Sequence, residues 1–116
     1  MTSVTIYHNP GCSKCRGALE ILNDRGVEHE VIEYLEKPLD RAALEHLLEL
    51  LPIEPTELVR KDKRFKELGL DAGDYESASS VVDVLLAHPE LMQRPIVIRG
   101  DRAVIARPPE KLEELL

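Results

Sequence analysis

The sequence predicts an α/β domain: a mixed β-sheet flanked by helices, with a helical insertion between the second and third strands. Three observations carry this expectation. An alternating apolar run at residues 3–8 leads into a helical pattern and then a second β-type run, as in a parallel strand pair joined by a right-handed helical crossover. Between residues 39 and 87 the apolar side chains recur at helical spacing, interrupted by prolines and glycines. Finally, two short β-type runs at 96–98 and 103–106 flank Gly100-Asp101 and read as a hairpin. At 116 residues the chain is expected to form one domain over 1–116, long enough to bury roughly two-thirds of its unfolded surface.

Each element has a local cause. In residues 3–8, Val4, Thr5, Ile6 and Tyr7 supply β-branched and aromatic side chains, and Pro10 and Gly11 end the strand. The helix that follows has its apolar stripe on Ala18, Leu19, Ile21 and Leu22, leaves Glu20, Asn23 and Asp24 to water, and stops near Gly26. Residues 27–34, with Val31 and Ile32, make the second strand, which Pro38 prevents from extending. Asp40 is the expected N-cap of a helix with Leu44, Leu47, Leu48 and Leu51 on one face, an ordinary core stripe. Pro52 and Pro55 break the chain, and a helical piece over 56–59 leads into the charged run Arg60-Lys61-Asp62-Lys63-Arg64. Gly69 and Gly73 bracket a turn. The next helix covers 78–87, with Ser77 or Ser79 near its start and Val81, Val82, Val84, Leu85 and Leu86 expected to be largely buried. Pro95 opens the third strand, where it cannot donate a ladder hydrogen bond, so it belongs at an end or in a tight turn, a cis bond being one way to make that turn. A short helix from Pro108 or Pro109 to Leu116, carrying Leu112, Leu115 and Leu116, closes the chain.

Composition narrows the function. A formal charge of −7 argues against general nucleic-acid binding, although an isolated basic cluster could still hold a small anion. Aromatic side chains are too scarce for a base-stacking platform. No apolar run approaches the roughly 18–20 residues of a membrane span, so no membrane partner is expected. No signal-peptide pattern is present, and the expected compartment is the cytoplasm.

Chemistry concentrates in Tyr7-His8-Asn9-Pro10-Gly11-Cys12-Ser13-Lys14-Cys15-Arg16, which holds both cysteines at a strand-to-helix junction. A thiol at a helix N-terminus meets backbone N–H groups without intrahelical partners, and the positive end of the dipole favours the thiolate. That effect alone lowers a thiol pKa of ~8.5 by only about one unit, so further lowering needs cations. Lys14, Arg16 and His8 are the local candidates, and arginines returning from distant segments would add to them. Cys12 is therefore the candidate nucleophile, and Cys15, one turn on, is expected to be more enclosed and less reactive. A C-x-x-C pair also occurs as half of a zinc site, but zinc takes four ligands, there is no further cysteine, and the four histidines are scattered without ligand spacing. No metal is expected. A structural disulfide fits poorly with a chain of this size and expected compartment.

The element order, the C-x-x-C at the first βα junction and the proline opening the third strand resemble a thioredoxin-like fold. More narrowly, Tyr7-His8-Asn9-Pro10, Cys12, Arg16, Arg60-Lys61, Glu67-Leu68-Gly69-Leu70, His88-Pro89, Arg94-Pro95-Ile96-Val97 and Arg107-Pro108 resemble the glutaredoxin-dependent arsenate reductase family over nearly the whole chain. The resemblance implies reduction of arsenate to arsenite through a covalent Cys12–arsenic intermediate. Arg60, Arg94 and Arg107 would bind the oxyanion, His8 would favour the thiolate, and Pro95 would match the family's cis-proline. No bound cofactor is implied, electrons coming from glutathione with glutaredoxin. Cys15 stands where those members usually carry serine. It opens a second route, in which a Cys12–Cys15 disulfide forms and thioredoxin or glutaredoxin reduces it. Guanidinium groups suit a tetrahedral oxyanion, since their paired donors match its oxygens and their charge offsets repulsion as a thiolate attacks an anion.

Other readings remain at this stage. Arg60 lies in a charged run and has a solvated face as its lesser reading, and His8 reads as well as a buried ring satisfied by a backbone partner. A general thiol–disulfide oxidoreductase would need the cysteines but not the arginines. A Spx-type redox-sensing regulator, sharing this fold and binding RNA polymerase, would use the cysteines as a switch.

Overall fold

The computed structural model of the protein describes residues 3–116. Its chain divides into two compact units: one made of the chain up to Lys37 together with Arg94–Leu116, the other of Pro38–Gln93. Among the described residues no helix is long and apolar enough to cross a membrane.

The first unit is built on a mixed four-stranded sheet of β1 (Val4–His8), β2 (His29–Glu33), β3 (Ile96–Arg99) and β4 (Arg102–Ile105), in the order β2-β1-β3-β4. β1 and β2 run parallel, with Val4 opposite His29 and His8 opposite Glu33, joined as expected by a helix, α1 (Ser13–Asp24). β3 is antiparallel to β1 and β4, and Gly100, at φ 64°, makes the hairpin turn between the last two strands. This is the thioredoxin-like arrangement of the sequence reading, with strand 27–34 trimmed to its central five residues. β2 and β4 are the edge strands of the sheet, and Val31 is exposed on β2.

Alternation decides which residues of β1 are buried. Val4 and Ile6 of β1 pack with Ala18 and Leu22 of α1, Val97, Val104, Ala106, and Leu112 and Leu115 of a closing helix. That closing helix, Pro109–Leu115, is a 3₁₀ helix. Gly17 lets α1 lie close to it, since a Cβ at residue 17 would come 3.2 Å from Pro109 Cγ. Gly26 ends α1 at φ 64°, with its N–H bonded to the Asn23 carbonyl and that of Val27 to the Leu22 carbonyl. This is a Schellman closure, which needs a residue that tolerates left-handed backbone.

The second unit is helical: α2 (Arg41–Leu50), α3 (Lys63–Glu67) and α4 (Ala78–Ala87), linked by 3₁₀ turns at Pro55–Leu58, Ala72–Asp74 and Pro89–Leu91. Asp40 caps α2 through the Ala43 N–H at 2.8 Å, and Ser77 caps α4 through the Ser80 N–H at 3.2 Å, as the sequence predicts. Asp62 caps α3, so part of the charged run is a helix start. Leu44, Leu47 and Leu51 are buried, whereas Leu48 is half-buried. Leu86 corrects the expectation for α4: it is 37% exposed. At 100° per residue it falls about 40° beyond Val82, the last position of the arc formed by Val84, Val81, Leu85 and Val82.

Candidate active site

Strand register brings the informative residues of the first unit to one edge of its sheet. β1 ends at His8, whose partner is Glu33, so Tyr34 is the next residue of the neighbouring strand at that edge. β3 begins with Ile96 opposite Tyr7, so Arg94-Pro95 approach the same edge. β4 ends at Ile105 opposite Ile96, and Ala106-Arg107 follow. The loop from Asn9 to Cys12 leaves β1 there.

That loop is tied down by its own backbone. Asn9 Oδ1 accepts from the Gly11 N–H at 3.0 Å, the Asn9 carbonyl accepts from the Cys12 N–H at 3.0 Å, and Arg16 Nη1 donates to the Pro10 carbonyl at 2.8 Å. Cys12 becomes the N-cap of α1 in an extended conformation (φ −102°, ψ 123°), its sulfur near the first-turn N–H groups of Lys14 and Cys15 without closing a capping hydrogen bond. It is only 8% exposed. Burial alone pushes its thiol pKa up. The Cys15 N–H, the Arg94 side chain, the Cys15 thiol and the Lys14 N–H outweigh that burial and bring the pKa down to about 7. Two of these four are the free N–H groups of the helix end, the source identified in the sequence. The decisive side chain is Arg94, which arrives from the residue before Pro95. Of the three local cations expected to act, Arg16 donates through Nη1 to the loop carbonyl, and His8 has its pKa lowered.

Cys15 lies on the buried stripe of α1 with Ala18 and Leu22 and has no exposed surface. Its pKa is pushed up to about 12, first by burial and then by the Cys12 sulfur, against the opposing Asn9 backbone and the Arg94 charge. His8 is buried too. Burial holds its imidazole below the ordinary value, helped by Arg16 and opposed by Glu33 and by the Cys15 backbone, so the ring is neutral at pH 7.

Two arginines of the sequence reading meet in this unit. Arg94 interacts electrostatically with the Cys12 sulfur, and Arg107 Nη1 donates to the Arg94 carbonyl at 3.1 Å. The Arg94-Pro95 bond is cis, as anticipated; so is Arg107-Pro108, which the sequence did not signal. Buried Pro95 fixes Arg94 to the sheet end, because its carbonyl accepts from the Ala106 N–H at 2.9 Å. Arg60 belongs to the helical unit, where it is half-buried and pairs with Asp62 at 3.3 Å.

Tyr34 was not singled out from the sequence, yet it is 1% exposed and in electrostatic contact with Arg94, Cys15 and Cys12. Burial, partly offset by Arg94, raises its pKa, so the phenol stays protonated. Its sequence signal was limited to a tyrosine closing an otherwise ordinary strand pattern.

Known proteins carry the same fold and sequence pattern. YfgD of Escherichia coli K12, whose role is uncharacterized, is 44% identical over 97% of this chain and 96% of its own length. An arsenate reductase of Neisseria meningitidis serogroup B is 37% identical, with both chains fully covered. The solved structure of an arsenate reductase from Vibrio cholerae superposes with a TM-score of 0.89 at 38% identity, covering 99% of this chain and 98% of that one. Residues 7–115 match the ArsC family. With the match spanning nearly the whole chain, and with the thiol loop, the two neighbouring arginines and the strand-opening proline inside it, the chain belongs to the ArsC family.

Proposed function

We propose that the protein is an arsenate reductase in which the Cys12 thiolate attacks the arsenic of arsenate. The observation that carries this reading is the meeting of a low-pKa thiol, at a helix N-terminus, with the Arg94 side chain. A thiolate attacking an anion is repelled by it. A guanidinium and free N–H groups placed at the sulfur offset that repulsion as charge gathers on the oxygens. Full-length relatives named arsenate reductases, one with a superposable structure, support the substrate.

In the first step an S–As bond forms at Cys12 and an As–O bond breaks, the oxygen leaving as water after protonation. In the second, a thiol sulfur attacks Cys12 Sγ. The S–As electron pair goes to arsenic, which is reduced from As(V) to As(III) and leaves as arsenite, and the two sulfurs are oxidised to a disulfide. Glutathione, with glutaredoxin removing it, is one such thiol. Cys15 is the other, giving a Cys12–Cys15 disulfide for thioredoxin or glutaredoxin to reduce. Arg107 joins Arg94 in holding the oxyanion, and Arg60 enters on the sequence resemblance. His8, neutral and buried, would favour the thiolate, as the family resemblance implies, without acting as a fixed cation. Pro95 holds Arg94 at its angle. No bound cofactor is needed, and turnover coupled to glutathione or thioredoxin would place the protein in a reducing, cytoplasmic setting.

The test is arsenate-dependent NADPH oxidation by purified protein, coupled separately to the glutathione/glutaredoxin and thioredoxin systems, for wild type, Cys12→Ser and Cys15→Ser. Turnover lost in Cys12→Ser supports the reading, and a Cys15→Ser protein that loses the thioredoxin-coupled rate supports the internal disulfide. No turnover with either system, from protein whose cysteines still cycle to a disulfide, would replace the reductase by a general thiol–disulfide oxidoreductase or a redox switch.

A further inference from the structure

Among the described residues, three buried side-chain polar atoms lack a hydrogen-bond partner: His8 Nδ1, Tyr34 Oη and Arg94 Nε. Such a group costs about 1–3 kcal/mol when left unpaired, and native structures keep few of them. All three come from the sheet edge that carries the cysteines. Tyr34 and Arg94 are in electrostatic contact with each other, and both with the two sulfurs. Tyr34 is among the largest fully buried side chains of the chain. Volume alone would be served as well by phenylalanine, so the hydroxyl is the part that needs a reason.

Cys15 supplies one. Burial pushes the Cys15 thiol pKa up, so Cys15 rests as the neutral thiol at pH 7. Attack by Cys15 therefore requires a donor that meets negative charge on its sulfur as that charge develops. Neutral Cys15 offers a buried hydroxyl little to bond, and the ionised sulfur offers a strong acceptor. We propose that the Tyr34 hydroxyl is that donor: it accepts from the Arg94 guanidinium and donates to Cys15 Sγ as Cys15 attacks Cys12. A chain of donors ending on a charge is mutually polarised, which strengthens the last bond. The proposal rests on the reading above only in taking Cys12 as nucleophile and Cys15 as the resolving thiol.

Glutathione disulfide probes this step without arsenic, so its result stands apart from the arsenate assay. The Cys12 thiolate displaces one glutathione thiolate and forms a Cys12–glutathione mixed disulfide. Cys15 then loses its proton to solvent and attacks Cys12 Sγ; the S–S bond to glutathione breaks, its electron pair leaves on the second glutathione thiolate, and the Cys12–Cys15 disulfide remains. Both glutathione thiolates take up protons from water, so one disulfide is reduced as one is made.

The readouts are the decay of the mixed disulfide by mass spectrometry and, in a Cys15→Ser background, the ultraviolet thiolate titration of Cys12. Tyr34→Phe is expected to slow the decay about tenfold, the worth of one hydrogen bond to charge, and to leave the Cys12 titration near 7. A decay rate equal to wild type overturns the proposal. A Cys12 titration that moves with the rate assigns the effect to displaced Arg94 and overturns it too. Site-specific 3-fluorotyrosine at position 34 keeps ring and fold while strengthening the O–H donor: faster decay supports the donor role, and an unchanged rate overturns it.

Discussion

The loop that ends in Cys12 and the first turn of α1 that carries Cys15 are neighbours on one chain, are both enclosed, and bear the same functional group. Burial acts on both thiols in the same direction, upward. What separates them is the company each sulfur keeps. Cys12, at the cap, collects the N–H groups of the helix end and the side chain of Arg94; Cys15, a turn deeper, faces the Cys12 sulfur with fewer compensating donors. The difference teaches that reactivity here follows from donors placed at a buried sulfur, which outweigh burial at Cys12 and do not at Cys15.

The sharpest way to break this contrast is to remove the favoured thiol. Cys12→Ser is expected to lower arsenate-dependent turnover by at least about 10³-fold, measured by coupled NADPH oxidation; retention of turnover would transfer the nucleophile to Cys15. Next in size is Arg94→Ala, which takes away the side-chain donor and leaves the helix N–H groups. The Cys12 pKa should rise by about one unit, read by thiolate absorbance in Cys15→Ser protein, and turnover should fall about 10²-fold.

How much of this was legible beforehand differs between elements. Alternation, helical spacing and turn residues located β1, α1, α2, α4 and the hairpin, and the caps Asp40 and Ser77 were readable because side chains of that type meet N–H groups three residues on. Burial of Cys15 was written in its spacing to Ala18 and Leu22. Arg94 was reachable only through the family resemblance, since nothing local links it to a cysteine some eighty positions away. Tyr34 was out of reach because its place depends on the parallel register of β2 against β1, which periodicity does not fix. The second cis bond, at Pro108, follows tertiary placement in the same way.

pH sharpens the comparison on a smaller scale. Alkylation of Cys12 in Cys15→Ser protein should rise with pH to a half-maximum near 7. Because that folded pKa lies below the unfolded value of ~8.5, the thiolate's contribution to stability is present above pH ~8.5 and lost as pH falls through the folded pKa. Urea unfolding should therefore show the advantage of wild type over Cys12→Ser shrinking across that window. Smallest is a change at the far end of the same helix. Gly26→Ala, forced into a left-handed conformation, should cost about 1 kcal/mol in urea unfolding and leave both thiol titrations where they are.

The loop ahead of Cys12 also bears on the protein's chemical ageing. Asparagine side chains are lost when the backbone nitrogen of the following residue attacks the side-chain amide and closes a succinimide ring. Asn9 is followed by Pro10, whose nitrogen carries no proton to lose, and its Oδ1 is engaged by the Gly11 N–H. The hinge that sets the angle of the nucleophile is thus protected from the commonest spontaneous lesion of an asparagine-containing turn, and long storage should spend the thiols by oxidation before it disturbs the loop that aims them.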